Sequence, residues 1–455
     1  MVVAWIEIAA FTFFHGIPVE IGPSKPYWGD GSGDALQWVG LLSIMACSAA
    51  IVLVAGRRPS QEAATTAAPQ GTAWTTWTEA ADQSARRGLE DTRNTLVFGL
   101  GVRSPQCVSL GCVGLAGDDR DGLGDLVDRI AAEEGLSGVI RVDLDGSLAG
   151  QRAYGLAHRG LGVPTTVDTQ FSIASGSKGF TALTVMSLVE RGELGLDTTA
   201  RSVLGADLPL IDDRVNVEQL LAHRSGIGDY LDEDEVDDNN DYVLTVPVHE
   251  LATTEQFLAV LDGHPMKHVP GARFVYCNGG YVVLALIAER TTGVPFHDLV
   301  DQRVCRPAGM TDTSFLRSDE LPGRAAFGYL DNEGLRTNVF HLPVRANGDG
   351  GIYTTAADVH ALWDALFLGR IVSVDTVAEM MSPRSDVPEL SMRYGLGFWL
   401  YTSTDAASLH GFDAGVGFVS VRDRDRRFTY TVLSNKSRGA WQVSQRLDQL
   451  LPASA

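Results

Sequence analysis

Apolar and polar positions first settle into a regular pattern near residue 119. Leu123, Leu126, Val127, Ile130 and Ala131 share one face of a helix. Ile140, Val142 and Leu144 then alternate with Arg141 and Asp143, which predicts a half-buried strand. Asp145-Gly146 is a hairpin signal, and a second strand runs on to about Ala157. Residues 179–190 are apolar almost all round (Phe180, Leu183, Val185, Met186, Leu188, Val189), as in a buried helix that Gly192 can stop. Another helix is expected over 282–291. Towards the C-terminus the pattern predicts strands at 394–401, 416–421 and 428–434, then a helix over 440–451. Both ends of this region therefore supply strands plus a helix, and its middle is mainly helical. The expected fold class is α+β: one antiparallel sheet built from both ends, flanked by helices, with an inserted mainly helical domain.

Residues 1–118 read differently. The run 35–56 is uncharged and apolar, and its 22 residues match the ~20 that cross a bilayer. Arg57 and Arg58 follow it, which orients the C-terminal side towards the cytoplasm. No basic segment precedes the run, so it is not an ordinary signal peptide. Residues 59–87, rich in Ala, Thr and Gln, read as a linker. Three readings stand for 1–118: a membrane anchor with linker, a partner-binding tail, or an extension outside the natural product. The organisation expected is an unassigned region 1–118 ahead of one folded domain at 119–455. Localisation follows the first choice: cytoplasmic, or at the cell membrane with contact through 35–56.

Composition narrows the function. The formal charge of −21, from 36 basic and 57 acidic residues in 455, argues against a phosphate-binding surface and so against nucleic acid. Five scattered cysteines make neither a disulfide scaffold nor a zinc site, and no metal is expected. Seven acids in the ten positions 232–241 read as a solvated loop. Only Lys25, Lys178, Lys267 and Lys436 are lysine, so the chain uses Arg wherever a plain positive charge suffices.

That scarcity draws attention to Ser175-Gly176-Ser177-Lys178, at the start of the buried helix. Residues three apart on a helix share a face. A serine hydroxyl needs a base to become a nucleophile, and a buried lysine can be that base because desolvation lowers its pKa. Arginine cannot lose its proton. Backbone N–H groups at the helix start favour a developing oxyanion. Two further elements follow in order. Tyr276-Cys277-Asn278 offers a general acid or base and an amide that can orient a substrate. Leu409-His410-Gly411-Phe412-Asp413-Ala414-Gly415 precedes and enters an expected edge strand, where glycine lets a substrate approach backbone.

On these three motifs, residues 120–450 resemble the serine β-lactamase and D-alanyl-D-alanine carboxypeptidase superfamily, nearest its class C-like, β-lactamase-related branch. The resemblance implies a serine hydrolase without cofactor. Ser175 would form the acyl-enzyme, Lys178 would activate it, and Tyr276 would be acid or base. Asn278, His410 and Gly411 would bind a small-molecule or peptide substrate: an ester, amide, D-alanyl peptide or β-lactam. One departure stands out. The family's third motif begins with Lys or His, whereas alignment on Gly411 and Gly415 puts Leu409 there and His410 in the middle. This favours ester or amide substrates over carboxylate-bearing ones. The alternative is a non-catalytic relative that keeps the fold as a binding module.

Overall fold

The computed structural model describes residues 120–233 and 239–451. The expected anchor at 35–56 and linker at 59–87 lie outside the described residues. Among those described, no helix is long and apolar enough to cross a membrane.

Helix α1 (Arg120–Glu133) leads into the hairpin β1 (Gly138–Leu144) and β2 (Ser147–Tyr154). The hairpin turns through Asp145 and Gly146 at φ 51° and 73°, the left-handed pair the dipeptide announced. Among several shorter helices, three long ones organise the middle segment: α2 (Ser177–Glu190), α3 (Asn278–Thr292) and α4 (Ala356–Phe367). The chain then returns as β3 (Ser385–Val387), β4 (Met392–Tyr394), β5 (Trp399–Tyr401), β6 (Ala406–Asp413), β7 (Val416–Asp423) and β8 (Phe428–Ser434), and ends in α5 (Ala440–Leu450). These strands form one eight-stranded sheet in the order β2-β1-β8-β7-β6-β5-β4-β3. Every pairing within it is antiparallel. The expected joining of both ends occurs at β1 and β8, from Gly138 opposite Ser434 to Leu144 opposite Phe428.

Alternation along the strands sends side chains to two layers. Ile140, Val142, Val419 and Val432 pack with Leu123, Val127 and Ile130 of α1 and Val443 and Leu447 of α5. Val139, Phe418 and Leu433 face the opposite way, into a larger core with Phe180 and Leu183 of α2, Leu284 of α3 and Trp363 of α4. Helix α2 is buried from Ser177 to Leu188. Its hydrophobic circumference thus reflects a central position between the sheet and the other helices.

Two local expectations are corrected. Strand β1 is covered on both faces, because α4 lies over Arg141 and Asp143. Asp143 takes a two-pronged hydrogen bond from Arg141 (2.9 and 3.0 Å) and lies 3.0 Å from His360 Nδ1. The segment 394–401 is two short strands, β4 and β5, rather than one. Gly395 and Gly397 lie between them, and Gly397 takes φ +91°. A Cβ there would come within 2.2 Å of Ala182 Cβ, so the turn closes tightly on α2.

Candidate active site

The chain enters α2 through a 3₁₀ turn, Ala174–Gly176, that carries Ser175. Ala174 sits at φ +42°, a conformation that costs an L-residue about 1–2 kcal/mol. Its carbonyl is held by two donors, Ser177 Oγ at 2.8 Å and Gly351 N–H at 3.0 Å. Ser177 Oγ in turn accepts from Ile352 N–H at 3.0 Å. The turn before Ser175 is therefore locked to the strand-forming segment 350–354.

Lys178 lies one helical turn on, and the structure brings it together with Ser175 and Asn278. Its Nζ donates to Ser175 Oγ at 2.9 Å, to Asn278 Oδ1 at 2.8 Å and to the Asp349 carbonyl at 2.7 Å. All three ammonium protons are thereby used, and none goes to a carboxylate. Burial lowers the Lys178 pKa, opposed by the charges of Asp349, Glu233 and Asp229. Proton release to become a base is thus eased by position. The Tyr276 ring centroid lies 4.9 Å from Lys178 Nζ, and its side chain hydrogen-bonds Ser175. Burial raises the Tyr276 pKa well above its ordinary value, so the phenol is protonated at neutral pH.

Asn278 opens α3, and a residue absent from the sequence reading puts it there. Asp229 accepts from the N–H groups of Asn278 (2.5 Å) and Gly279 (2.8 Å), capping the helix from a distant loop. The Asn278 amide then donates to Leu231 O and to Glu233 Oε1 at 3.0 and 3.1 Å. Glu233 belongs to the acidic stretch expected to be a solvated loop. Its side chain instead joins the site, because the loop folds back over the start of α3. His223 supports the same segment. It accepts from Cys277 N–H at 3.1 Å and lies 4.3 Å, centroid to centroid, from the Tyr276 ring.

The third motif divides by face. Leu409 and Gly411 of β6 turn towards the Ser175 turn and α2. A Cβ on Gly411 would meet Ile173 O at 1.9 Å, and one on Gly179 would meet Leu409 Cδ2 at 2.5 Å. Apolar contact with α2 thus occupies the position where the family carries a cation. His410, expected to bind substrate, is not brought to the cleft. It faces the other way, stacked on Trp399 (5.8 Å) and edge-on to Trp441 of α5 (5.4 Å). Burial lowers its pKa to about 3, so it carries no charge at neutral pH. Its link to the site is through Trp399, which also stacks with Tyr276 at 6.3 Å. Beyond Ser408, β6 has no pairing with β5. Its end, Phe412 and Asp413, lines the cleft that holds Ser175, Asn278 and Asp349. The motif thus lies on a free edge, as expected: β6 pairs with β7 along its whole length but with β5 only at Ala407 and Ser408.

A half-buried Ser and Tyr around a buried Lys at a helix start, beside a strand end, on an antiparallel α+β frame, define a hydrolase of the serine β-lactamase and penicillin-binding protein class. Comparison with known proteins agrees. The Beta-lactamase family profile matches residues 123–453. The putative penicillin-binding protein PbpX of Bacillus subtilis is 26% identical over 323 residues, 70% of this chain and 76% of that protein. Among solved structures, a penicillin-binding protein from Bacillus halodurans is 33% identical with a TM-score of 0.68, covering 71% of this chain and 99% of its own. A D-amino acid amidase from Ochrobactrum anthropi is 25% identical with a TM-score of 0.61, covering 73% and 98%. The chain belongs to the beta-lactamase family.

Proposed function

We propose that the protein is a serine hydrolase that forms an acyl-enzyme at Ser175 on an ester or amide. The observation that carries this reading is the 2.9 Å contact between Lys178 Nζ and Ser175 Oγ inside an open cleft. Ser175 Oγ attacks the substrate carbonyl and gives its proton to the Lys178–Tyr276 pair. The new oxyanion sits against the Ser175 N–H and the free backbone edge of β6. Collapse of the tetrahedral intermediate breaks the bond to the leaving alcohol or amine, which takes up the proton. Water then repeats the attack and releases the acid. Asn278, tied to Lys178, holds the amine's orientation and borders the substrate. D-Alanyl peptides and β-lactams share this carbonyl chemistry. Leu409 and the inward-facing Gly411 offer their carboxylates no cation, which supports the simpler esters and amides.

The test is reaction with a fluorophosphonate followed by intact mass. Wild type gains one adduct and Ser175→Ala gains none. Equal labelling of both proteins would remove Ser175 from the mechanism.

A further inference from the structure

The charge lining the cleft points to one property of the substrate, an inference that rests on Ser175 being the nucleophile. Three carboxyls, Glu233, Asp349 and Asp413, line the cleft together with Ser175. Each uses one oxygen locally: Glu233 Oε1 accepts from Asn278, Asp349 Oδ2 from the Tyr230 hydroxyl at 2.5 Å, and Asp413 Oδ1 from Ala414 N–H at 2.8 Å. No arginine or lysine among the described residues forms an ion pair with any of them. Lys178 donates its three protons to neutral oxygens, and its charge is the cation that partly offsets all three carboxyls. The other titratable side chains on the wall are Tyr230, Tyr242 and His341. Burial, with mutual repulsion added, pushes Glu233 up to about 7 and Asp413 up to about 6. Three carboxyls set against one lysine leave the cleft with an excess of acid, which is costly unless the ligand completes it.

A second observation also points to a ligand. Asn347 is fully buried and lines the same cleft, and its Nδ2 has no hydrogen-bond partner. Its Oδ1 is fixed by Gly348 N–H at 2.8 Å, which sets the direction of the amide. A buried donor of this kind lacks an acceptor that a substrate carbonyl would supply.

We propose that the cleft takes acyl donors bearing a protonated amine beside the scissile carbonyl, the ammonium held by Glu233, Asp349 and Asp413 and a carbonyl oxygen by Asn347. Amino-acid amides and esters with a free amino group have this chemistry. Substrates with a carboxylate at the same place are repelled.

The test compares three p-nitroanilides or p-nitrophenyl esters of one amino acid: free amine, N-acetyl and N-succinyl. The free amine should lead in kcat/KM by about tenfold or more, the scale of one desolvated charge contact, and the succinyl compound should be slowest. Asp413→Asn, and separately Glu233→Gln, should collapse the amine-to-acetyl ratio towards one, mainly through KM. Fluorophosphonate labelling of each variant reports whether its site has folded. Preference for the N-acetyl or succinyl compound, or an unchanged ratio in both labelled variants, overturns the proposal alone. Absence of any Ser175 adduct in wild type overturns the nucleophile assignment and the proposal with it.

Discussion

Replacing Gly411 by alanine tests the geometry of the site without touching a polar group. The new Cβ would lie 1.9 Å from Ile173 O and 2.9 Å from Gly176 N. An ordinary carbon–oxygen contact is about 3.3 Å or longer, so strand β6 and the nucleophile turn must separate by ~1.4 Å. Both atoms at the clash belong to the hydrogen bond that closes the turn, Gly176 N–H to Ile173 O at 2.9 Å. The strain therefore falls on the backbone that carries Ser175 and on its spacing from the β6 edge. Misplacement of about 1 Å can cost ~10²-fold in rate, and overpacking costs about 1–3 kcal/mol of stability. We expect Gly411→Ala to lower kcat/KM on any ester or amide by about 10²-fold or more, with only a modest drop in melting temperature. Gly323→Ala is the control, because a Cβ at that position meets nothing within 4 Å. The assay is steady-state hydrolysis plus the rate of fluorophosphonate labelling, both taken well below the melting temperature. A Gly411→Ala enzyme within about twofold of wild type would refute the role given to this close approach.

Lys178→Arg should lose about 10²-fold or more in the labelling rate, because guanidinium keeps its proton at all working pH values. The wild-type rate should rise as pH climbs through the lowered pKa of Lys178, where the amine becomes a base; a variant that retains this limb would exclude Lys178 as its source. Asp413→Asn should stabilise the fold at high pH only. Burial raises Asp413 to about 6 from the ordinary carboxylate value near 3.9, so its ionisation opposes folding. The gain is small at pH 4, grows as pH rises from about 4 to 6 and is complete above pH 7, about 2 kcal/mol after allowance for partial exposure. Urea denaturation at pH 4.5 and 8 reads it, and an equal effect at both pH values would contradict the stated cause.

Local spacing carried what the sequence could reveal of this site. Ser175 and Lys178 are three apart on a helix whose burial is written in its own residues. Tyr276 and Asn278 flank a single cysteine at the entry to α3. Asp229, Glu233, Asp349 and Asp413 were not legible as a group. Asp229 and Glu233 come from one loop, Asp349 from another and Asp413 from a strand end, and no periodicity links them. Part of the acidic run 232–241 was misjudged for the same reason, since only the fold shows Glu233 turning back onto Asn278. His410 failed by one residue of face. Its neighbour Gly411 faces the Ser175 turn, and strand alternation sends His410 to the Trp441 side. A single strand read in isolation does not reveal which face is which. The general architecture was legible, because the two-residue and helical periods switch cleanly at both ends. The split of β4 from β5 was not, since the turn at Gly397 is forced by contact with Ala182.

The pairing of β1 with β8 also orders events during synthesis. Helix α2, hydrophobic on all sides, leaves the ribosome long before β6, β7 and β8 exist to cover it. Contacts so distant in sequence form slowly, and a partly made chain of this kind exposes surface that chaperones bind. The Ser–Lys pair is encoded early, yet the β6 edge beside it and six of the eight strands of the sheet arrive later. The site is therefore assembled only when the chain is nearly complete. A ribosome stalled before residue 428 would carry the Ser175–Lys178 motif without it.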